Sequence, residues 1–168
     1  MKLVICEKPS VGAAVAAALG VREKKDGYIE GNGYFISWCI GHLVGLAEAA
    51  AYGEQYRKWS YDSLPILPQE WQYTVAADKG KQFKILKDLM QRSDVSEVVN
   101  ACDAGREGEL IFRFVYHQAG CKKPFRRTRS LRCARPLAAA LQNQYCQAYL
   151  PYTHLCNPPA HPDGKERK

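Results

Sequence analysis

Two short apolar bursts, each cut off by an acidic loop and followed by a helix-forming stretch, constrain the fold of this chain more than any other feature. The first is Leu3 to Cys6, ended by Glu7, Lys8 and Pro9; the second is the Val-rich run Glu97 to Cys102, ended by the polar loop Asp103 to Gly108. Both have the length of a strand. After the first, Ser10 is placed to cap a helix through Ala13 to Leu19, with Gly20 as its stop. After the second, Glu109 to Tyr116 reads as a helix ending near Gly120. Strands joined through helices favour neighbouring parallel positions with right-handed crossovers, so Glu7 and Asp103 are expected at one edge of one sheet.

That placement has chemical content. Ligands of open α/β sheets gather beyond the carboxyl ends of the strands, and carboxylates converging there suit a hard cation such as Mg²⁺. A helix beginning near Gly108 also turns its free amides toward any phosphate at that edge. A single acidic loop is ordinarily a solvated turn, but two at matching strand ends favour a metal site.

The remaining body of the chain fits an α/β domain. Tyr28 to Ile29 and Tyr34 to Ile40, separated by Gly31-Asn32-Gly33, read as a hairpin or two short strands. Residues 52 to 73 are rich in Tyr, Trp and Pro without a sustained period, which predicts a long irregular surface connection. Asp78 to Lys81 leads into a predicted amphipathic helix from Gly80 to Arg92, with Phe83, Leu86 and Met90 on its apolar face. His42, beside Gly41, is expected to pack between strands, and Trp38, Trp59 and Trp71 to serve mainly as core or loop anchors. No Gly-rich P-loop motif is present.

Composition excludes several classes. With 168 residues and 46% hydrophobic content the chain has material for a core, which argues against disorder. The apolar run Val11 to Val21 is too short to span a bilayer, so no membrane role is expected. Seven cysteines without a C-x-x-C pair signal neither a disulfide framework nor a zinc ribbon and point to a reducing cytoplasm. The net charge of +7 divides unevenly: residues 1 to 124 carry 16 basic and 15 acidic side chains, residues 125 to 168 carry 8 and 2.

The segments LVICEKPSVG, residues 3 to 12, and VVNACDAGREGELIFR, residues 98 to 113, with GHL at 41 to 43 between them, resemble the signature motifs of the Toprim domain of type IA DNA topoisomerases, closest to the topoisomerase III branch. The resemblance covers residues 1 to about 124. It implies a Toprim (Rossmann-like) α/β domain, a central mostly parallel sheet flanked by helices, and Mg²⁺-dependent cleavage and religation of single-stranded DNA in the full-length enzyme. On the same ground Glu7 is implied as the acid/base group, Lys8 as the contact to the scissile phosphate, Glu7, Asp103 and Glu107 as the carboxylates around Mg²⁺, and Lys8 with Arg106 as DNA contacts. These residue types suit the chemistry: a carboxylate exchanges a proton with an oxygen nucleophile, while lysine and metal offset phosphate charge.

Two departures qualify it. Many relatives have Asp-x-Asp where this chain has Asp103-Ala104-Gly105, which removes a metal carboxylate and implies weaker Mg²⁺ binding. The tyrosine nucleophile of type IA enzymes belongs to a domain beyond the Toprim region, and Tyr145, Tyr149 and Tyr152 have no resemblance to its motif, so this chain alone is expected to be inactive in strand passage. The alternatives are a standalone Toprim nuclease or primase-like phosphotransferase, or a non-enzymatic DNA-binding remnant. Residues 125 to 168, with the cluster Arg126, Arg127, Arg129, Arg132 and Arg135 and five of the nine prolines, are expected to form a separate tail packing poorly on the domain. That tail is a basic arm for DNA phosphate or, as composition favours, an unselected end left by a truncation or frameshift. Cys146, His154, Cys156 and His161 fit no zinc-finger spacing.

Overall fold

The first apolar burst is a strand, β1 (Lys2–Cys6), and its side chains from Leu3 to Cys6 are all fully buried. A computed structural model of the chain describes residues 1–58 and 60–128. Helix α1 (Pro9–Ala18) follows after only two loop residues. Then come β2 (Glu23–Lys25), β3 (Tyr28–Gly31) and β4 (Tyr34–Trp38), with a two-stranded ribbon made by β5 (Val44–Leu46) and β6 (Tyr73–Val75). Helix α2 (Gly80–Gln91), β7 (Glu97–Ala101), α3 (Arg106–Gln118) and β8 (Phe125–Arg127) complete the described chain.

The main sheet has the order β2-β3-β4-β1-β7-β8. β1 runs parallel to β4 on one side and β7 on the other, and β8 adds to β7 in parallel; only β2 and β3 are antiparallel additions. The expected adjacency of the two apolar strands therefore holds, with Cys6 in register with Ala101.

The period of two divides β1 between two cores. Leu3 and Ile5 join Leu86, Leu89 and Met90 of α2 and Phe112 and Val115 of α3 on one face. Val4 and Cys6 join Val15 and Ala16 of α1 with Ile36 and Val99 on the other. Each fully buried aliphatic side chain contributes about 1.5–3 kcal/mol, which makes β1 the axis of the domain. On the α1 side the layers approach closely: a Cβ at Gly12 would lie 2.7 Å from the Trp38 ring.

The hairpin turn between β3 and β4 uses Asn32 (φ 48°) and Gly33 (φ 81°), the left-handed pair that matches strand twist. The Asn32 side chain donates to the carbonyls of Leu19 and Gly20, closing the end of α1. Between Gly45 and Lys81 no described residue is buried, in line with the surface connection expected over 52 to 73. No helix among the described residues is long and apolar enough to cross a membrane.

Several expectations are corrected. Ser10 does not cap α1; Lys8 holds the N-cap position in an extended conformation and Pro9 occupies the first turn, where its fixed φ and missing N–H cost nothing. α3 begins at Arg106, three residues before the expected start, because Gly105 already accepts the Glu109 amide at 3.1 Å. The separate tail expected from 125 does not begin there. Phe125 is buried against Phe112 and Tyr116, the Thr128 amide donates to the Asn100 carbonyl at 3.0 Å, and the sheet extends through Arg127. The remaining tail residues, including Arg129, Arg132 and Arg135, the tail tyrosines and the Cys/His set, lie outside the described residues, as does Trp59.

Candidate active site at the carboxyl edge of the parallel strands

Three loops leave the carboxyl ends of β4, β1 and β7 side by side. The β1 loop carries Glu7 and Lys8, the β7 loop Asp103 to Gly105, and the β4 loop His42. Glu7 is 9% exposed, a carboxylate held almost inside the protein. Its Oε2 accepts a hydrogen bond from the Asp103 amide at 3.3 Å, and its Oε1 lies 3.7 Å from the Lys8 ammonium. The first contact joins the two loops across the sheet. The second is weak in energy, since Lys8 is largely in solvent, but it leaves the ammonium beside the carboxylate at the rim.

The β7 loop turns tightly. The Gly105 amide donates to the Asp103 carbonyl at 2.8 Å, and Gly105 then starts α3. Gly108 lies so close beneath that a Cβ there would meet the Asp103 carbonyl oxygen at 2.3 Å and the Asp103 nitrogen at 2.8 Å. Glycine at 108 is thus a packing requirement of the acidic loop. Glu107 and Glu109 in the first turn complement the positive end of the helix dipole. The side chains of Asp103, Arg106 and Glu107 are exposed, with Arg106 at the first helical position.

The structure brings the Glu7 and Lys8 side chains together and joins Glu7 to the Asp103 backbone. Glu107 shares the same edge, yet its Oε1 faces His42 Nε2 at 3.5 Å. Among the described residues no three His, Cys, Asp or Glu side chains are gathered as a cage for a metal ion. A magnesium ion is ordinarily held by one or two carboxylates and completed by waters and substrate phosphates. Exposed Asp103 and Glu107 fit that kind of site in their hard oxygen donors and their placement at the rim.

His42 is not packed between strands. Gly41 (φ 63°) turns the chain after β4, so Leu43 goes into the core while His42 stays outside with its side chain 44% exposed. Lys79 braces this loop by donating to the His42 carbonyl at 3.1 Å. The tripeptide GHL was the only sequence signal for this third loop. A further group escaped the sequence reading. Asn100, fully buried in β7, donates to Glu109 Oε2 at 3.0 Å and accepts the Cys102 amide at 3.0 Å. Glu109 also binds Arg113 at 2.7 Å and the Arg127 guanidinium. A polar side chain inside an apolar strand was the available sign, because a buried amide must find partners.

Under the edge lie three free, buried cysteines, Cys6, Cys39 and Cys102. Burial pushes the Cys6 thiol well up, and the neighbouring Cys39 side chain together with burial does the same to Cys102. Neither is a thiolate nucleophile at neutral pH. The polar side chains that the edge presents are the Glu7, Asp103 and Glu107 carboxylates, the Lys8 ammonium and the His42 imidazole.

Comparison with known proteins agrees with this architecture. Residues 2–132 match the Toprim domain family. DNA topoisomerase 3 of Shouchella clausii is 48% identical over 126 residues, which are 75% of this chain and 17% of that protein. DNA topoisomerase 3 of Staphylococcus epidermidis is 43% identical over 125 residues, 74% of this chain and 18% of that protein, and the Bacillus subtilis protein of the same name is 42% identical over 125 residues, with 74% and 17% covered. The chain thus spans less than a fifth of the length of these relatives. With the family match running from β1 past β8, over the sheet, both motif loops and the helices behind them, the chain belongs to the Toprim domain family.

Proposed function

We propose that this chain is the Toprim portion of a topoisomerase III-like enzyme, contributing the acid/base and phosphate-binding half of Mg²⁺-dependent cleavage and religation of single-stranded DNA. The observation that carries this reading is the Glu7 carboxylate, nearly buried, linked to the Asp103 amide and flanked by Lys8 at the carboxyl edge. In this role Glu7 takes the proton of an attacking hydroxyl and returns it to the oxygen that leaves. The Lys8 ammonium offsets phosphate charge, Arg106 contacts the backbone, and the first amides of α3 add partial positive charge. Asp103 and Glu107 would hold the magnesium ion, which when bound neutralises phosphate charge and keeps the DNA ends in register. The nucleophilic tyrosine is supplied from outside the Toprim unit. Four described cysteines are free thiols, which supports a reducing, cytoplasmic setting.

The test transplants residues 1 to 128 into DNA topoisomerase 3 of Shouchella clausii in place of the matching segment and follows relaxation of negatively supercoiled plasmid with Mg²⁺. The chimera is expected to relax DNA, and Glu7→Gln to cost it about 10²-fold or more. A folded chimera in which Glu7→Gln leaves the rate untouched would remove Glu7 from the chemistry. Direct binding of a single-stranded oligonucleotide by the full 168-residue chain, weakened by Lys8→Ala, checks the DNA contact independently.

A further inference from the structure

We propose that Arg127 is a positioning residue that holds the Asp103 loop in its working shape, with Glu109 as its anchor. The inference rests on the function proposed above and extends the site to β8, a strand with no part in the two sequence motifs. The two terminal nitrogens of the one guanidinium serve different partners. Nη2 donates to the Asp103 carbonyl at 2.5 Å, and Nη1 binds Glu109 Oε2. Glu109 is fixed in turn by Arg113 at 2.7 Å and Asn100 at 3.0 Å, while Asn100 receives the Cys102 amide. The backbone at 102 and 103 is thereby tied to β7, β8 and α3.

The loop needs such a tie. Residues from Asp103 to Glu107 are all exposed, so little apolar burial fixes the position of the acidic side chains. The Arg127 side chain is only 16% exposed, which strengthens its charge-assisted bonds relative to a surface pair. A guanidinium can bridge a carbonyl and a carboxylate through separate, rigidly spaced donors; an ammonium offers a compact point charge. Lysine at 127 therefore preserves the positive charge and loses the bridge.

The experiment uses the full chain and compares wild type with Arg127→Lys, Arg127→Gln, Glu109→Gln and Arg126→Gln. Arg126 is the control because it sits on the same strand but pairs with Glu97, at the opposite end of β7. Amide hydrogen exchange without metal reads the loop directly, and calorimetry with MgCl₂ alone reads its consequence. Arg127→Lys is expected to keep the fold, raise exchange at the hydrogen-bonded amides of Asp103 and Gly105 about tenfold, and weaken Mg²⁺ about tenfold, with Glu109→Gln following it and Arg126→Gln unchanged. Loop exchange at the wild-type rate in both Arg127 variants overturns the proposal, even if wild type binds Mg²⁺ and DNA and the functional reading stands. If wild type binds neither, that reading fails, and exchange alone decides whether Arg127 holds the loop.

Discussion

The two motif loops begin alike, on adjacent parallel strands with Cys6 opposite Ala101, and reach their helices by different physical means. The β1 loop is two residues long, and Pro9 sets the first turn of α1 locally. The β7 loop spans four residues, 102 to 105, and is held from outside by Gly108 beneath it, by Arg127 from β8 and by the Glu7 carboxylate from the β1 loop. One loop carries its geometry in its own sequence. The other borrows it from contacts 5 to 96 positions away in the chain, so its acidic residues are exposed to disturbance from several elements.

The largest expected effect falls on the borrowed loop. Gly108→Ala places a methyl where the Asp103 backbone already lies, and backbone cannot step aside as a flexible side chain can. A loss of about 1–3 kcal/mol in stability is expected from denaturant unfolding. Oligonucleotide binding should fall with it, because the atom displaced belongs to the acidic loop. Gly12→Ala is the informative partner: there the obstacle is the Trp38 ring, which can tilt, so a smaller loss is expected. Equal losses at both positions would end the contrast between loops.

Gly105→Asp acts on the same loop in the opposite direction. Nothing lies within 4 Å of a Cβ at Gly105, and its backbone is extended at φ −137°, which any residue adopts. Aspartate is also a favoured N-cap residue. The change should be tolerated in thermal unfolding and should tighten Mg²⁺ binding about tenfold in calorimetry, equivalent to about 1.4 kcal/mol. Unchanged affinity would mean that position 105 does not face the ion.

How much of this was legible in the sequence follows the same division. β1, the hairpin at Asn32-Gly33, the amphipathic α2 and the adjacency of the two apolar strands were readable, since periodicity and turn chemistry are local. Glu7 and Asp103 were placed at one edge because topology rules carry a strand end to its neighbour. Three of the features missed depend on contacts or dihedrals that local sequence does not carry. The early start of α3 rests on the Gly105 carbonyl accepting the Glu109 amide, a backbone bond at a glycine that no propensity reports. The exposure of His42 depends on a single positive φ at Gly41. Arg127 looked like part of a basic tail because its charge was counted with the arginines after it, whereas pairing with Glu109 decides its role. Composition records the charge of a side chain and is silent about its partner.

The smallest expected effects concern the β1 loop, and they sharpen the comparison by being small. Pro9→Ala should cost about 0.4–1 kcal/mol, through the freedom the unfolded chain regains, without moving Glu7 or Lys8. Ser10→Ala should cost less still. Loss of a working N-cap hydroxyl typically costs about 0.5–2 kcal/mol, but Lys8 is the N-cap here and α1 has no side-chain cap bond to lose. Ser10 is also exposed, so no buried hydroxyl is left without a partner. Thermal unfolding of Ser10→Ala should match wild type. A fall comparable to a lost cap would show that the hydroxyl closes the first turn in solution, and the β1 loop would then depend on a side-chain contact much as the β7 loop does.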